Sequence, residues 1–86
     1  MNDYKSLITK NNLRSTRQAL GLRQQDVADL LGIEIADRLS HWECGTSIPN
    51  LVNLFRLCRI YNKRPEELYP DLYDGIHINP SSAKEK

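Results

Sequence analysis

Residues 24–45 read QQDVADLLGIEIADRLSHWECG, and the reading of this stretch decides how the rest of the chain must fold. Val27, Leu30 and Leu31 recur at i, i+3 and i+4, one face of a helix, with Ala28 beside them. Gly32 follows where a helix end wants a residue free to take φ > 0. Ile35, Leu39 and Trp42 then recur at i, i+4 and i+7, a single stripe on a second helix from about Ile35 to Cys44 that Gly45 closes. The opposite face of that helix carries Asp37, Ser40, His41 and Cys44, with Ala36 and Arg38 on its flanks.

A short helix, a tight turn and a second helix with a buried stripe and a polar outer face are what a helix-turn-helix offers a DNA major groove. The stretch resembles the helix-turn-helix of lambda-repressor-like domains, the Xre and Cro family of bacterial and phage regulators. The family's pattern has a Gln opening the first helix, an apolar residue followed by Ala, a Gly four residues after the Ala, and a Glu-x-Gly close. Here these are Gln24, Val27-Ala28, Gly32 and Glu43-Cys44-Gly45, and the similarity runs over roughly residues 13 to 72. This chain departs from the pattern by one residue more between Gly32 and Gly45. Leu39 and Trp42 meet the family's core positions only if that residue sits in the turn, around Ile33 to Ile35.

Eighty-six residues make one small domain with one modest core. Net charge is only +1, weak for a nucleic-acid binder, but the charges are unevenly spread. Residues 1–23 hold five basic groups against Asp3, and residues 51–64 hold Arg56, Arg59, Lys63 and Arg64 with no acid. Between them, residues 24–50 hold Asp26, Asp29, Glu34, Asp37 and Glu43 against Arg38 alone. Any positive field comes from the elements flanking the motif. Cys44 and Cys58 have no framework spacing, the first residues lack the apolar run of a signal peptide, and no stretch has membrane-spanning length. The expected setting is a reducing cytoplasm.

In chain order, residues 1–10 read as a polar arm, 11–73 as the domain and 74–86 as a flexible tail. A first helix capped by Asn11 or Asn12 runs to Leu20, with Leu13, Thr16, Ala19 and Leu20 inward. Gly21 stops it, and Leu22 enters the core. Arg23 stands where the family has a Ser or Thr cap, so the next helix reads as under-capped. After the uncharged loop GTSIPN, Asn50 caps a fourth helix to Tyr61 that buries Leu51, Leu54, Leu57, Cys58 and Tyr61 and turns Arg56 and Arg59 outward. Asn62 ends it, and Pro65 opens a short fifth helix, PEELY. Pro70 either ends that helix or starts one more turn. The expected fold is all-α, five helices around Leu13, Leu20, Val27, Leu31, Leu39, Trp42, Leu54, Leu57 and Leu68.

The resemblance implies further roles. Helix 3 would offer Ala36, Asp37, Arg38, Ser40 and His41 to base edges, with Asp37 accepting from cytosine and His41 donating to guanine N7 or O6. Gln24, Gln25, Thr46, Ser47 and Asn50 would hold phosphates, with Arg14 and Arg56 as weaker candidates. The family often pairs an Arg of the first helix with the Glu before the closing Gly, which here selects Arg17 and Glu43. Each has a plainer reading. Gln24 is otherwise a solvated polar residue, and Arg17 and Glu43 are otherwise ordinary surface charges. His41 and Cys44 stand at i and i+3, but no second Cys/His pair completes a tetrahedral metal site. Neither a carboxylate pair, a nucleophile with its base nor a glycine-rich phosphate loop marks an enzyme, and no cofactor is expected. The leading expectation is a sequence-specific double-stranded DNA-binding regulator, a repressor acting as a homodimer. Its rival is a protein-interaction module on the same scaffold, an antitoxin-like or anti-repressor partner, favoured by the acidic motif.

Overall fold

A computed structural model describes residues 10–78 of the chain. Among these residues six helices follow one another: α1 Leu13–Ala19, α2 Gln24–Leu31, α3 Asp37–Cys44, α4 Leu51–Tyr61, α5 Pro65–Leu68 and α6 Pro70–Gly75. No strand occurs among the described residues. The expected arm falls almost entirely outside them, and so does most of the expected tail, whose first two residues instead belong to α6.

One more helix forms than expected because of Pro70. A residue before proline is pushed out of the α region, and Tyr69 sits at φ −130°, ψ 61°. Pro70 has no N–H to carry the α5 ladder on, so it starts a new turn as the first residue of α6.

The helix ends are set by local chemistry. Asn11 Oδ1 accepts from the Leu13 N–H at 3.0 Å and so starts α1. Asn12 ties that start to α5, its N–H donating to Leu68 O at 2.8 Å and its Nδ2 to Glu67 O at 2.9 Å. The start of α2 is not under-capped. Asp26 reaches back and accepts from the Arg23 N–H at 2.8 Å, and it also takes the Arg23 guanidinium at 2.8 Å. The Arg23 side chain and backbone hold the Asp26 carboxyl down at about 2. Asn50 Oδ1 accepts from the Asn53 N–H at 2.8 Å and caps α4. At the other end of α2, Gly32 takes φ 76°, with the Ile33 N–H on Ala28 O and its own N–H on Asp29 O. A Cβ there would meet nothing within 4 Å, so the positive φ alone calls for glycine.

Leu13, Val27, Leu31, Leu39, Trp42, Leu57, Tyr61, Leu68 and Tyr69 make the buried core, with Leu22, Ile33, Leu54 and Cys58 packed against it. Several expected core residues lie elsewhere. Leu20 is 51% exposed and Ala19 is exposed, because Arg17 takes the inward place on α1 that they were expected to fill. Leu30 on α2 and Leu51 on α4 are exposed as well, since each stands at the rim of its apolar face. Ile35 is exposed and precedes α3, which starts two residues later than the stripe suggested. Ile33 supplies the apolar contact instead, so Leu39 and Trp42 keep their buried phase.

Candidate nucleic-acid interface

The inner side of α3 is Leu39, Trp42 and Glu43, all buried. Its outer side is Asp37, Arg38, His41 and Cys44, all exposed, with Ser40 and Ala36 half-buried at the edges. The Arg38 guanidinium lies 5.7 Å from the centroid of the Trp42 ring, within cation–π range. Asp37 is the first residue of the helix, where the dipole favours a carboxylate.

Glu43 is the hub of the motif. Its side chain is 0% exposed, and the Arg17 side chain beside it is 10% exposed. Arg17 donates from Nε to Glu43 Oε2 at 2.6 Å and from Nη2 to Oε1 at 3.0 Å, a bidentate pair. Its Nη1 donates to Leu22 O at 2.9 Å, pinning the turn after α1. Gln24 Nε2 donates to Glu43 Oε1 at 2.9 Å, and Arg14 Nε to the same oxygen at 3.3 Å. One carboxylate of α3 therefore joins α1, the α1–α2 turn and the first residue of α2. Burial alone would push the Glu43 carboxyl up, but the bonds from Arg17, Gln24 and Arg14 together hold it below its ordinary value.

The expected phosphate contacts are mostly engaged within the chain. Gln24 has one amide proton on Glu43 and a second still to give. Gln25 Nε2 donates to Asp29 Oδ1 at 2.9 Å and Glu34 O at 3.3 Å. The Arg14 side chain is 52% exposed and leans over Glu43 toward Cys44. Arg56 Nη1 donates to Asn53 Oδ1 at 3.4 Å, and Asn50 keeps its amide N–H groups for another partner. Ser47 is exposed.

The close of α3 brings two candidates together. Gly45 takes φ 82°, its N–H donating to Trp42 O at 3.1 Å, and the Thr46 N–H donates to His41 O at 3.0 Å. This is the paired C-terminal closure of a Schellman motif. It sets Thr46 Oγ1 at 3.2 Å from His41 O and 3.1 Å from His41 Nδ1.

The helix-turn-helix family model matches residues 13–68, well over half of the chain and all of α1 to α5. The chain belongs to the helix-turn-helix family, of the Xre and lambda-repressor-like kind. Neither the curated proteins nor the solved structures yielded a match. The helix-turn-helix family is one of DNA-binding regulators, not of enzymes. Among the described residues no helix is long and apolar enough to cross a membrane. None of their His, Cys, Asp and Glu side chains form a group of three that could hold a metal ion. Sequence reasoning missed the part that Gln24 and Arg14 play around Glu43, which no local spacing signals. It also missed the Asp26 cap, which the acidic residue three places after Arg23 does signal.

Proposed function

We propose that this protein is a sequence-specific regulator of transcription, a repressor, that binds double-stranded DNA as a homodimer and lays α3 in the major groove. The observation that carries this reading is the two-faced α3 in a helix-turn-helix family member, apolar toward the core and lined outside by Asp37, Arg38 and His41. Ser40 and Ala36 complete the base-facing set. Gln24 at the start of α2, Ser47 and Asn50 after α3, and Arg14 and Arg56 supply phosphate contacts, whereas the Gln25 amide and the Thr46 hydroxyl are already committed within the chain. A twofold dimer would place two such helices about one DNA turn apart. Exposed apolar side chains at Leu51, Val52 and Phe55 on α4 and Tyr73 and Ile76 beyond α5 provide surface for it. Occupying an operator is enough for repression.

The rival reading, a protein-interaction module, draws support from Asp29, Glu34 and Asp37, all exposed around the motif, and from the internally engaged Gln25. Salt separates the two. If about four phosphates are neutralised per protomer, about eight for the dimer, affinity for random duplex falls roughly ten-thousandfold between 50 and 200 mM salt. A protein with no affinity for any duplex even at low salt is not this regulator, and the partner reading then takes its place.

Asp37 has the sharper part in selectivity. A carboxylate there accepts from the N4 amino group of cytosine and repels the acceptor edge of guanine. Asp37→Asn is expected to keep or raise overall affinity, because repulsion from phosphate goes, while preference at one base pair drops by about 1–3 kcal/mol. The check is selection from a random duplex pool. Identical selected sites for both proteins would reduce Asp37 to a residue that only favours the helix start.

A further inference from the structure

Building on the DNA-binding reading above, we propose that Thr46 fixes the tautomer of His41. His41 then meets DNA as a hydrogen-bond acceptor, selecting a base with an exocyclic amino group, adenine or cytosine, rather than guanine.

The argument counts protons. Thr46 Oγ1 has one hydrogen and two polar neighbours, the His41 carbonyl oxygen at 3.2 Å and His41 Nδ1 at 3.1 Å. The carbonyl can only accept. Both contacts are hydrogen bonds only when the hydroxyl donates to the carbonyl and Nδ1–H donates to the hydroxyl. If Thr46 instead donated to Nδ1, its oxygen would face the carbonyl oxygen with no proton between them. The closure at Gly45 fixes the Thr46 N–H on His41 O at 3.0 Å and so sets the Thr46 backbone beside the ring. A neutral imidazole protonated at Nδ1 leaves Nε2 as a bare acceptor. In the major groove the matching donors are adenine N6 and cytosine N4, whereas guanine shows acceptors at N7 and O6.

Asp37 stands four residues earlier on the same exposed face and is also an acceptor. Four residues of helix rise about 6 Å, close to two base-pair steps. The outer face of α3 thus presents two acceptors in series, and the half-site it fits carries amino groups about two base pairs apart. The expectation from sequence alone, that His41 donates to guanine, is replaced by its opposite.

The experiment has two arms on the full chain. Imidazole ¹⁵N spectra of the free protein, taken at mildly alkaline pH, report the tautomer, with His41 assigned by the signals missing in His41→Ala. The expected result is Nδ1–H in the wild type and a shift toward Nε2–H in Thr46→Val, which keeps the backbone bond and loses the hydroxyl. In the second arm, sites selected from a random duplex pool should show adenine or cytosine at the position that His41→Ala relaxes. Guanine there should be disfavoured roughly tenfold by the wild type, and that bias should shrink in Thr46→Val. A wild-type ring protonated at Nε2 overturns the proposal without touching the DNA-binding reading. So does guanine at the His41-dependent position. Absence of binding to any duplex at low salt overturns both.

Discussion

Glu43→Ala is expected to cost about 3–5 kcal/mol of folding stability, because it leaves the Arg17 guanidinium desolvated with its two best bonds gone. Arg17 Nε and Nη2 lose their acceptors among the described residues, where the Leu22 carbonyl remains on Nη1. Whole domains are stable by only about 5–15 kcal/mol, so the variant sits near its unfolding limit. Removing a spoke costs less than removing the hub. Arg14→Ala should lose below about 1 kcal/mol, since the side chain is half in water. The pH dependence has a definite sign. The folded Glu43 carboxyl is held below its unfolded value, so its contribution is full above the unfolded pKa of about 4.3 and is lost as pH falls further. Glu43→Gln should flatten that acid limb, leaving the part that the lowered Asp26 carboxyl contributes with the same sign. Urea unfolding at pH 7 and across the acid range measures both effects. A Glu43→Ala loss below about 1 kcal/mol would show that the buried pair contributes no more than a surface one.

Leu39→Ala is expected to cost about 2–5 kcal/mol, the range for truncating a fully buried leucine that its surroundings cannot close over. Leu39 is 1% exposed and stands on the core side of the helix whose outer side faces DNA in the proposed reading. Ser40→Ala, one residue along and half-buried, should change stability by less than about 0.5 kcal/mol. The pair separates holding the helix from using it. Leu39→Ala should bind DNA as well as wild type once corrected for the unfolded fraction, whereas Ser40→Ala should alter the selected sites. Denaturant midpoints and titrations with the selected duplex check this. A Leu39→Ala protein of wild-type stability would mean that α3 is not anchored through its apolar stripe.

The apolar spacing of Val27, Leu31, Leu39 and Trp42 carried the helix-turn-helix legibly, since a buried stripe must repeat with the helix wherever it lies. The caps at Asn50 and Asn62 were legible for the same reason, being local chemistry. Edges of apolar faces were not. Leu20, Leu30, Ile35 and Leu51 have the composition of core residues, but which rim is covered depends on neighbouring helices far along the chain. Arg17 shows the reverse case. A charged residue takes an inward place only because Glu43, 26 positions away, supplies a matching carboxylate. The candidate site followed the same division. The outward positions of α3 could be read from phase, whereas the bonds that occupy Gln24 and Arg14 depend on tertiary approach.

The turn between α2 and α3 bears on any attempt to give this protein a new operator. By the resemblance to the lambda-repressor-like pattern this turn is one residue longer, and with Ile33 on the core and the helix starting at Asp37, the resemblance keeps its phase relative to Gly45 and not to Gly32. A transplant of another regulator's base-contacting side chains must therefore be counted backward from Gly45. Counted forward from Gly32, every donor position arrives one residue out, a rotation of about 100° on a helix. Polar side chains chosen for bases would then land on the Leu39–Trp42 stripe. Such a chimera would be lost to misfolding before its choice of DNA could ever be scored.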